Sequence, residues 1–256
     1  MFDPFGDFET VGYLRNVLGL SDLDRVKVQE HLAFTGGVAE AASYLQRQEE
    51  ITYEDFCKVH EILFSGFYPW AGRDRQSLDV GRRISKGGQV DFCDSLDSRR
   101  AVQHGLRLGN DPDYLIQRPG EVMGLFAWGH PFLDGNGRTM VVVHAELMAR
   151  AGVMVNWAAS QKDAYLTALS HELDVPHERH LDAYLLPLVQ PLNAGYDWVE
   201  QLGKLAGLDG AAHATEADVV YNEADPVAQR RYDEKVRARQ YTIPDLASQR
   251  RAKPRY

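Results

Sequence analysis

The sequence has few cysteines, no long apolar run and no excess of positive charge, and each absence argues against a class of protein. Cys57 and Cys93 are the only cysteines among the 256 residues. Two cysteines are too few for a disulfide framework and favour a reducing compartment. No apolar run reaches the roughly 18 residues that a membrane span requires. The formal net charge of −9 argues against a general nucleic-acid-binding protein.

The first ten residues, MFDPFGDFET, are acidic and lack the basic and then apolar pattern of a secretion signal. We therefore predict a cytoplasmic protein that binds neither a membrane nor nucleic acid. Export as an effector, through a signal of another kind, stays an alternative.

The length of 256 residues and the hydrophobic content of 44% suit one sizeable domain with an extension. We predict a main domain over residues 1–195 and a helical, basic extension over residues 196–256. Within the extension, Pro226–Tyr256 contains nine Lys and Arg residues against three Asp and Glu residues. This composition is typical of a solvated helix, predicted over Arg230–Arg239, and of a loose basic tail.

Apolar residues recur at helical spacing through most of the chain, which predicts an all-α fold. Thr52 precedes the acidic residues Glu54 and Asp55, a pattern typical of a capped helix start. From Ser77 to Asp94 glycines interrupt polar and β-branched residues, which indicates a hairpin or an irregular loop. The other predicted helices cover Val11–Leu18, Asp22–Ala33, Val38–Gln48, Ser98–Leu108, Glu121–Trp128, Arg138–Arg150, Asp163–Leu173 and His180–Leu188.

The nine residues from His130 to Arg138, HPFLDGNGR, concentrate chemically active groups just before a long apolar helix. His130 has an intrinsic pKa near the working pH, which suits a general base, although a lone histidine is more often a satisfied core residue. Asp134 suits a magnesium ligand, or alternatively the cap of the following helix. An imidazole four residues before a carboxylate, beside a loop that suits a phosphate, predicts nucleotide chemistry.

The second half of this stretch predicts an anion site. Gly135 and Gly137 let the backbone approach a phosphate, and Asn136 tolerates the left-handed region and offers an amide donor. Arg138 offers a planar fork to phosphate oxygens. The alternatives are an ordinary Asn-Gly turn and a surface arginine, but a cation at a helix start opposes the dipole unless an anion is bound.

The same stretch resembles the signature of the Fic (Fic/Doc) family, HxFx(D/E)GNGRxxR, from His130 through Arg138. Val141 stands where the signature has a second arginine. Glu54–Arg75, which ends in FYPWAGRDR, is similar to the family's helix and turn. Ile84–Gly88 and Phe92 resemble the family's flap. The resemblance extends over roughly residues 10–190.

The resemblance implies the Fic fold, a helical bundle with a short β-hairpin flap at about residues 82–92. It also implies a protein AMP-transferase that moves AMP from ATP to a Ser, Thr or Tyr hydroxyl of a target protein. In this family pattern His130 is the base, Asp134 holds Mg²⁺, and Gly135–Arg138 hold the phosphates. The target protein docks at the flap, beside Lys86, Gly87 and Gly88.

Two other functions stay open at this point: a Doc-like kinase, or another phosphate-containing transfer, and a binding module with vestigial chemistry. The family's inhibitory pattern, (S/T)xxxE(G/N), is absent, since no glutamate has Ser or Thr four residues before it. Restraint is then expected from a separate antitoxin-like protein, from the C-terminal extension or from target availability. His60 and His144 are predicted to be structural.

Overall fold

The structure is a computed structural model that describes residues 14–80, 84–86, 90–193, 195, 197–202, 219–221, 230 and 232–234. Helices dominate, as the sequence predicts, and two small antiparallel sheets accompany them in the described residues. None of the helices in the described part of the chain is long and apolar enough to cross a membrane. The helices are α1 (Leu23–Leu45), α2 (Tyr53–Phe64), α3 (Ser95–Gly109), α4 (Pro112–Gln117), α5 (Pro119–Gly129), α6 (Asn136–Arg150), α7 (Lys162–Asp174), α8 (His180–Leu185) and α9 (Trp198–Leu202). The strands are β1 (Ile84–Lys86), β2 (Val90–Asp91), β3 (Val153–Val155), β4 (Val189–Pro191) and β5 (Val219–Tyr221).

Helix α1 is one continuous helix, whereas the sequence pattern predicts two helices separated by Gly36 and Gly37. The prediction was wrong because Gly37 serves packing and not chain breaking. A Cβ at Gly37 would lie 2.9 Å from the carbonyl oxygen of Ile62 and 3.0 Å from the Cα of Leu63. The missing side chain therefore lets α1 approach the backbone of α2.

The predicted helix over Val11–Leu18 was also wrong for its described part, since residues 14–20 form a turn. The side chain of Asn16 donates to the carbonyl of Leu20 at 2.9 Å and accepts from the N–H of Leu20 at 3.0 Å. Such side-chain bonds give the backbone an alternative to the helix. Gly19, with a φ of 62°, then turns the chain into α1.

Helix α2 begins with the capping box that the sequence predicts. The hydroxyl of Thr52 accepts the N–H of Asp55, and the carboxylate of Asp55 accepts the N–H of Thr52 at 2.8 Å. The helix ends at Phe64, and the turn after it buries Phe67 and Trp70 in the hydrophobic core.

Helices α5 and α6 form the centre of the molecule. All residues of α5 are buried, and this helix packs against α3, α6, α7 and α8. Helix α6 packs against α1, α2, α4 and α5. The segment between them, residues 130–135, therefore lies between two groups of helices. Trp198 and Leu202 of α9 join the same core.

Strands β1 and β2 form the predicted flap hairpin, with Ser85 opposite Asp91 and Lys86 opposite Val90. Gly87 and Gly88, which the sequence also assigns to the flap, lie outside the described residues. The other edge of β1 pairs with β5 from the C-terminal extension, in the strand order β2-β1-β5. The sequence predicts a helical extension after residue 195, so strand β5 was missed. Helix α4 and the β3–β4 pair were missed as well.

Candidate active site

His130 ends α5 in the left-handed conformation, with φ 41° and ψ 57°. This conformation is uncommon for a residue other than glycine and needs support from its surroundings. The support comes from Arg75, which is fully buried and donates from Nε to the carbonyl oxygen of His130 at 2.7 Å. Another nitrogen of Arg75 donates to the carbonyl of Cys93 at 2.7 Å. One guanidinium thus joins the end of α5 to the segment that follows the flap.

The imidazole of His130 stacks on the ring of Phe92, with 3.9 Å between the ring centroids and 25° between the planes. Phe92 directly follows β2 and is buried. The base predicted from the sequence is therefore oriented by the residue that anchors the flap.

Asn136 closes the loop between His130 and α6. Its Oδ1 accepts the N–H of Phe132 at 2.9 Å, and its Nδ2 donates to the carbonyl of Phe132 at 2.8 Å. The sequence assigns this side-chain amide to an anion, but the amide is used within the loop. What Asn136 offers an anion is its backbone N–H, because it is the first residue of α6.

His60, on α2, supports the loop between His130 and α6. Its Nδ1 accepts the N–H of Gly72 at 2.8 Å, so its Nε2 carries the proton and donates to the carbonyl of Asp134 at 3.0 Å. The ring also stacks on Phe132 with 3.8 Å between centroids. Burial lowers the pKa of His60 to about 3, so the ring is neutral. The prediction that His60 is structural understated its role, because it holds the backbone of Asp134.

Gly135 is the residue just before α6, and its φ of 75° is left-handed. A Cβ at this position would lie 2.5 Å from the ring of Phe64. The first intrahelical bond runs from Thr139 to the carbonyl of Gly135. The N–H groups of Asn136, Gly137 and Arg138 therefore stand outside the helical ladder, as at any helix start. A Cβ on Gly137 would meet open space.

Asp134 and Arg138 lie in a cluster of four charged side chains, of which the sequence identified only these two. Helix α1 contributes Lys27 and Glu30. The Nζ of Lys27 lies 3.0 Å from Glu30 Oε2 and 3.5 Å from Asp134 Oδ2. The Nη2 of Arg138 lies 3.5 Å from Glu30 Oε2 and 3.7 Å from Asp134 Oδ1.

The two carboxylates of this cluster differ in environment. Glu30 is fully buried, and burial together with the charge of Asp134 raises its pKa. The hydroxyl of Tyr68 also donates to Glu30. Burial alone would raise the pKa of Asp134 too, but the positive charges of Lys27 and Arg138 outweigh it and lower that pKa. Asp134 is therefore the more acidic and the more accessible of the two carboxylates, with its side chain 33% exposed.

Asp134 fits a magnesium ion that takes most of its ligands from phosphate and water, since such sites need only one or two protein carboxylates. The described residues contain no group of three or more His, Cys, Asp and Glu side chains that could hold a metal by themselves.

Comparison with known proteins finds similarity in the part of the chain that contains this site. The model of the Fic/DOC family matches residues 50–148, which run from the start of α2 to the end of α6. The matched segment is 99 of the 256 residues and is similar to the Fic/DOC family. Within this segment lie His60, Arg75, His130 and the α6 N-terminus, whereas Lys27 and Glu30 lie before it.

This chain is also similar to the protein adenylyltransferase VbhT of Bartonella schoenbuchensis. The two sequences are 30% identical over 160 residues. The aligned part is 60% of this chain and 32% of VbhT, so the chain spans about a third of that relative's length.

Two solved structures share the fold. One is the BepC effector protein of Bartonella tribocorum with bound AMPPNP, with a TM-score of 0.57 and 17% identity, covering 70% of this chain and 93% of BepC. The other is the N-terminal Fic domain of a cell filamentation protein of Bartonella quintana with bound ADP, with a TM-score of 0.58 and 16% identity, covering 72% and 94% of the two chains. The predicted Fic fold is confirmed.

Proposed function

We propose that the protein is a protein adenylyltransferase that moves AMP from ATP to a Ser, Thr or Tyr hydroxyl of a target protein. The observation that carries the proposal is the intact run from His130 to Arg138, held by Arg75, His60 and Asn136 in one supported loop. The name of VbhT and the nucleotides bound to the two structural neighbours support the same activity.

In this proposal His130 accepts the proton of the target hydroxyl while its oxygen attacks the α-phosphorus, and pyrophosphate leaves. The N–H groups of Asn136, Gly137 and Arg138, with the guanidinium of Arg138, bind the phosphate oxygens. The N–H of Gly135, which the sequence also assigned to the phosphates, instead donates to Asp134 Oδ1 at 2.6 Å. Asp134 would hold Mg²⁺, which neutralises phosphate charge when bound. The contribution of the protein is mainly position and charge stabilisation.

The target is proposed to dock at the flap, where Lys86, Gly87 and Gly88 were assigned from the sequence. An extended segment can add to an exposed strand edge. Both edges of β1 are already used, however, by β2 and by β5. Target pairing with β1 therefore requires that residues 219–221 leave, which makes the C-terminal extension a candidate restraint beside a separate antitoxin-like protein.

Label transfer tests the activity and separates the alternatives. The protein is incubated with Mg²⁺, a cell extract and ATP labelled at either the α- or the γ-phosphate. Label from the α-position alone, lost in His130→Ala, is the expected result. Label from the γ-position alone would indicate the kinase alternative. Absence of both labels, with ATP still bound, would indicate a binding module.

A further inference from the structure

Helix α6 supplies only one cation to the phosphate site. Val141, one turn after Arg138 on the same helix, is 6% exposed and belongs to the hydrophobic core. The terminal phosphates of a triphosphate carry most of its charge, and a single arginine leaves much of that charge without a protein partner.

A second cation reaches the same place from α1. Lys27 and Arg138 contact the same two acids, and at Asp134 they approach opposite carboxylate oxygens, at 3.5 and 3.7 Å. Both of these contacts are longer than a typical charge-assisted hydrogen bond, which is about 2.7–2.9 Å. Neither cation is therefore fully satisfied by Asp134, and a phosphate oxygen would be a stronger partner.

Glu30 fixes the position of both cations. Its carboxylate is fully buried, and its Oε2 lies 3.0 Å from Lys27 and 3.5 Å from Arg138. A buried carboxylate needs such partners, because an uncompensated charge in the interior is costly. The side chain of Lys27 is itself 27% exposed, so it is not closed off from solvent as Glu30 is.

We propose that Lys27 is a nucleotide-binding residue that contacts the phosphates beyond the α-phosphate, beside Arg138, and that Glu30 positions it. The inference rests on the proposed nucleotide site but not on the transfer reaction. It explains how a site with a valine at position 141 can hold a triphosphate: the second cation comes from α1 instead of α6. The competing interpretation is that Lys27 only neutralises Asp134 and Glu30.

Calorimetric titration with ATP, ADP and AMP, with and without Mg²⁺, distinguishes the two interpretations. Lys27→Met keeps the aliphatic stem and removes the charge. We expect it to weaken ATP binding about 10- to 100-fold, the loss typical of one hydrogen bond to a charged group, and to leave AMP binding nearly unchanged. Lys27→Arg should restore most of the affinity. Lys58→Met is the matched control, because Lys58 is an exposed lysine on α2 that pairs with Glu61.

Unchanged or tighter ATP binding by Lys27→Met would overturn the proposal and support the interpretation that Lys27 only neutralises Asp134 and Glu30. A wild-type protein that binds no nucleotide would instead refute the proposed function. If Lys27→Met unfolds, the double variant Lys27→Met/Glu30→Gln keeps the charge balance of the buried cluster and serves for the same titration.

Amine-directed labelling of the wild-type chain tests the contact without a substitution. ATP should protect Lys27 from the reagent and leave Lys58 reactive, whereas AMP should protect Lys27 much less. Labelling of Lys27 that ATP does not change would contradict the proposal, whatever the variants show.

Discussion

The buried guanidinium of Arg75 donates from Nε to the carbonyl oxygen of His130 at 2.7 Å, and the backbone N–H of Arg75 donates to Pro131 at 2.7 Å. The turn after α2 thereby holds the left-handed residue at which α5 ends and the motif begins. We infer that Arg75 positions the base without touching the nucleotide.

Arg75→Lys tests this positioning role. Lysine keeps the charge but lacks the planar fork that serves several carbonyls at once. We expect a loss of roughly 1–3 kcal/mol in the free energy of unfolding, as for buried groups left without a partner. The rate of transfer should fall while nucleotide affinity holds. Urea unfolding and titration measure the two quantities, and a stable variant with full transfer activity would show that Arg75 is dispensable.

Replacement of His130 needs two variants because its backbone is left-handed. Asparagine tolerates this conformation better than alanine. Both His130→Asn and His130→Ala should lower the transfer rate by about 10²–10⁴, the usual contribution of a general base. Only His130→Ala should also lose stability. Substantial transfer by the well-folded asparagine variant would rule out His130 as the base.

The three glycines Gly36, Gly135 and Gly137 give a matched series for the phosphate site. Gly135→Ala should destabilise the fold, because its Cβ would meet the ring of Phe64 and its φ is left-handed. Gly137→Ala meets no protein atom and should fold normally, but it should weaken ATP binding if phosphate approaches the backbone there. Gly36→Ala, on the exposed side of α1, should bind ATP normally and gain about 0.5–1 kcal/mol of stability. Normal ATP binding by Gly137→Ala would argue against this anion site.

Acid should destabilise the protein through His60. Its pKa of about 3 is below the usual value near 6.5, so the unfolded chain binds a proton first as the pH falls. Its stabilising contribution is present above about pH 6.5 and is lost towards pH 3, at roughly 1.4 kcal/mol per pH unit. His144, whose pKa burial lowers to about 4, acts in the same direction.

Urea unfolding at pH 7 and pH 5 measures this loss. His60→Gln should show a flatter pH dependence than the wild type. Comparing the variant with the wild type separates the effect of His60 from that of Glu30. The raised pKa of Glu30 changes the free energy of unfolding with pH in the opposite direction. Equal slopes for the two proteins would mean that His60 does not carry the effect.

Truncation tests whether the C-terminal extension restrains target modification. A chain that ends at residue 218 loses β5 and exposes the outer edge of β1. We expect it to modify targets faster than the full chain, and a chain that ends at residue 222 is the control that keeps β5. Both shortened chains also lack Tyr232, a second contact of the extension, which is buried and accepts the N–H of Asp94 at 2.9 Å. Equal rates for all three chains would make the extension irrelevant to target access.

The sequence by itself determined the elements that depend on local pattern. Helix α2 with its capping box, the buried helix α6 and the motif from His130 to Arg138 each depend on residues that are close in the chain. Periodicity, capping and a compact motif are local signals, so they can be recognised without the fold. Even here, the local signal of Gly36 and Gly37 was misleading, because the purpose of Gly37 is a contact with α2.

Only the tertiary structure decided what surrounds the motif. Lys27 reaches Asp134 across 107 positions of sequence, Arg75 reaches His130 across 55, and β5 pairs with β1 from the far end of the chain. In the sequence, Lys27 and Glu30 are indistinguishable from an ordinary ion pair three residues apart on a helix surface. Their role depends on which face of α1 packs against α6, and that packing is set by the core as a whole and not by any local pattern.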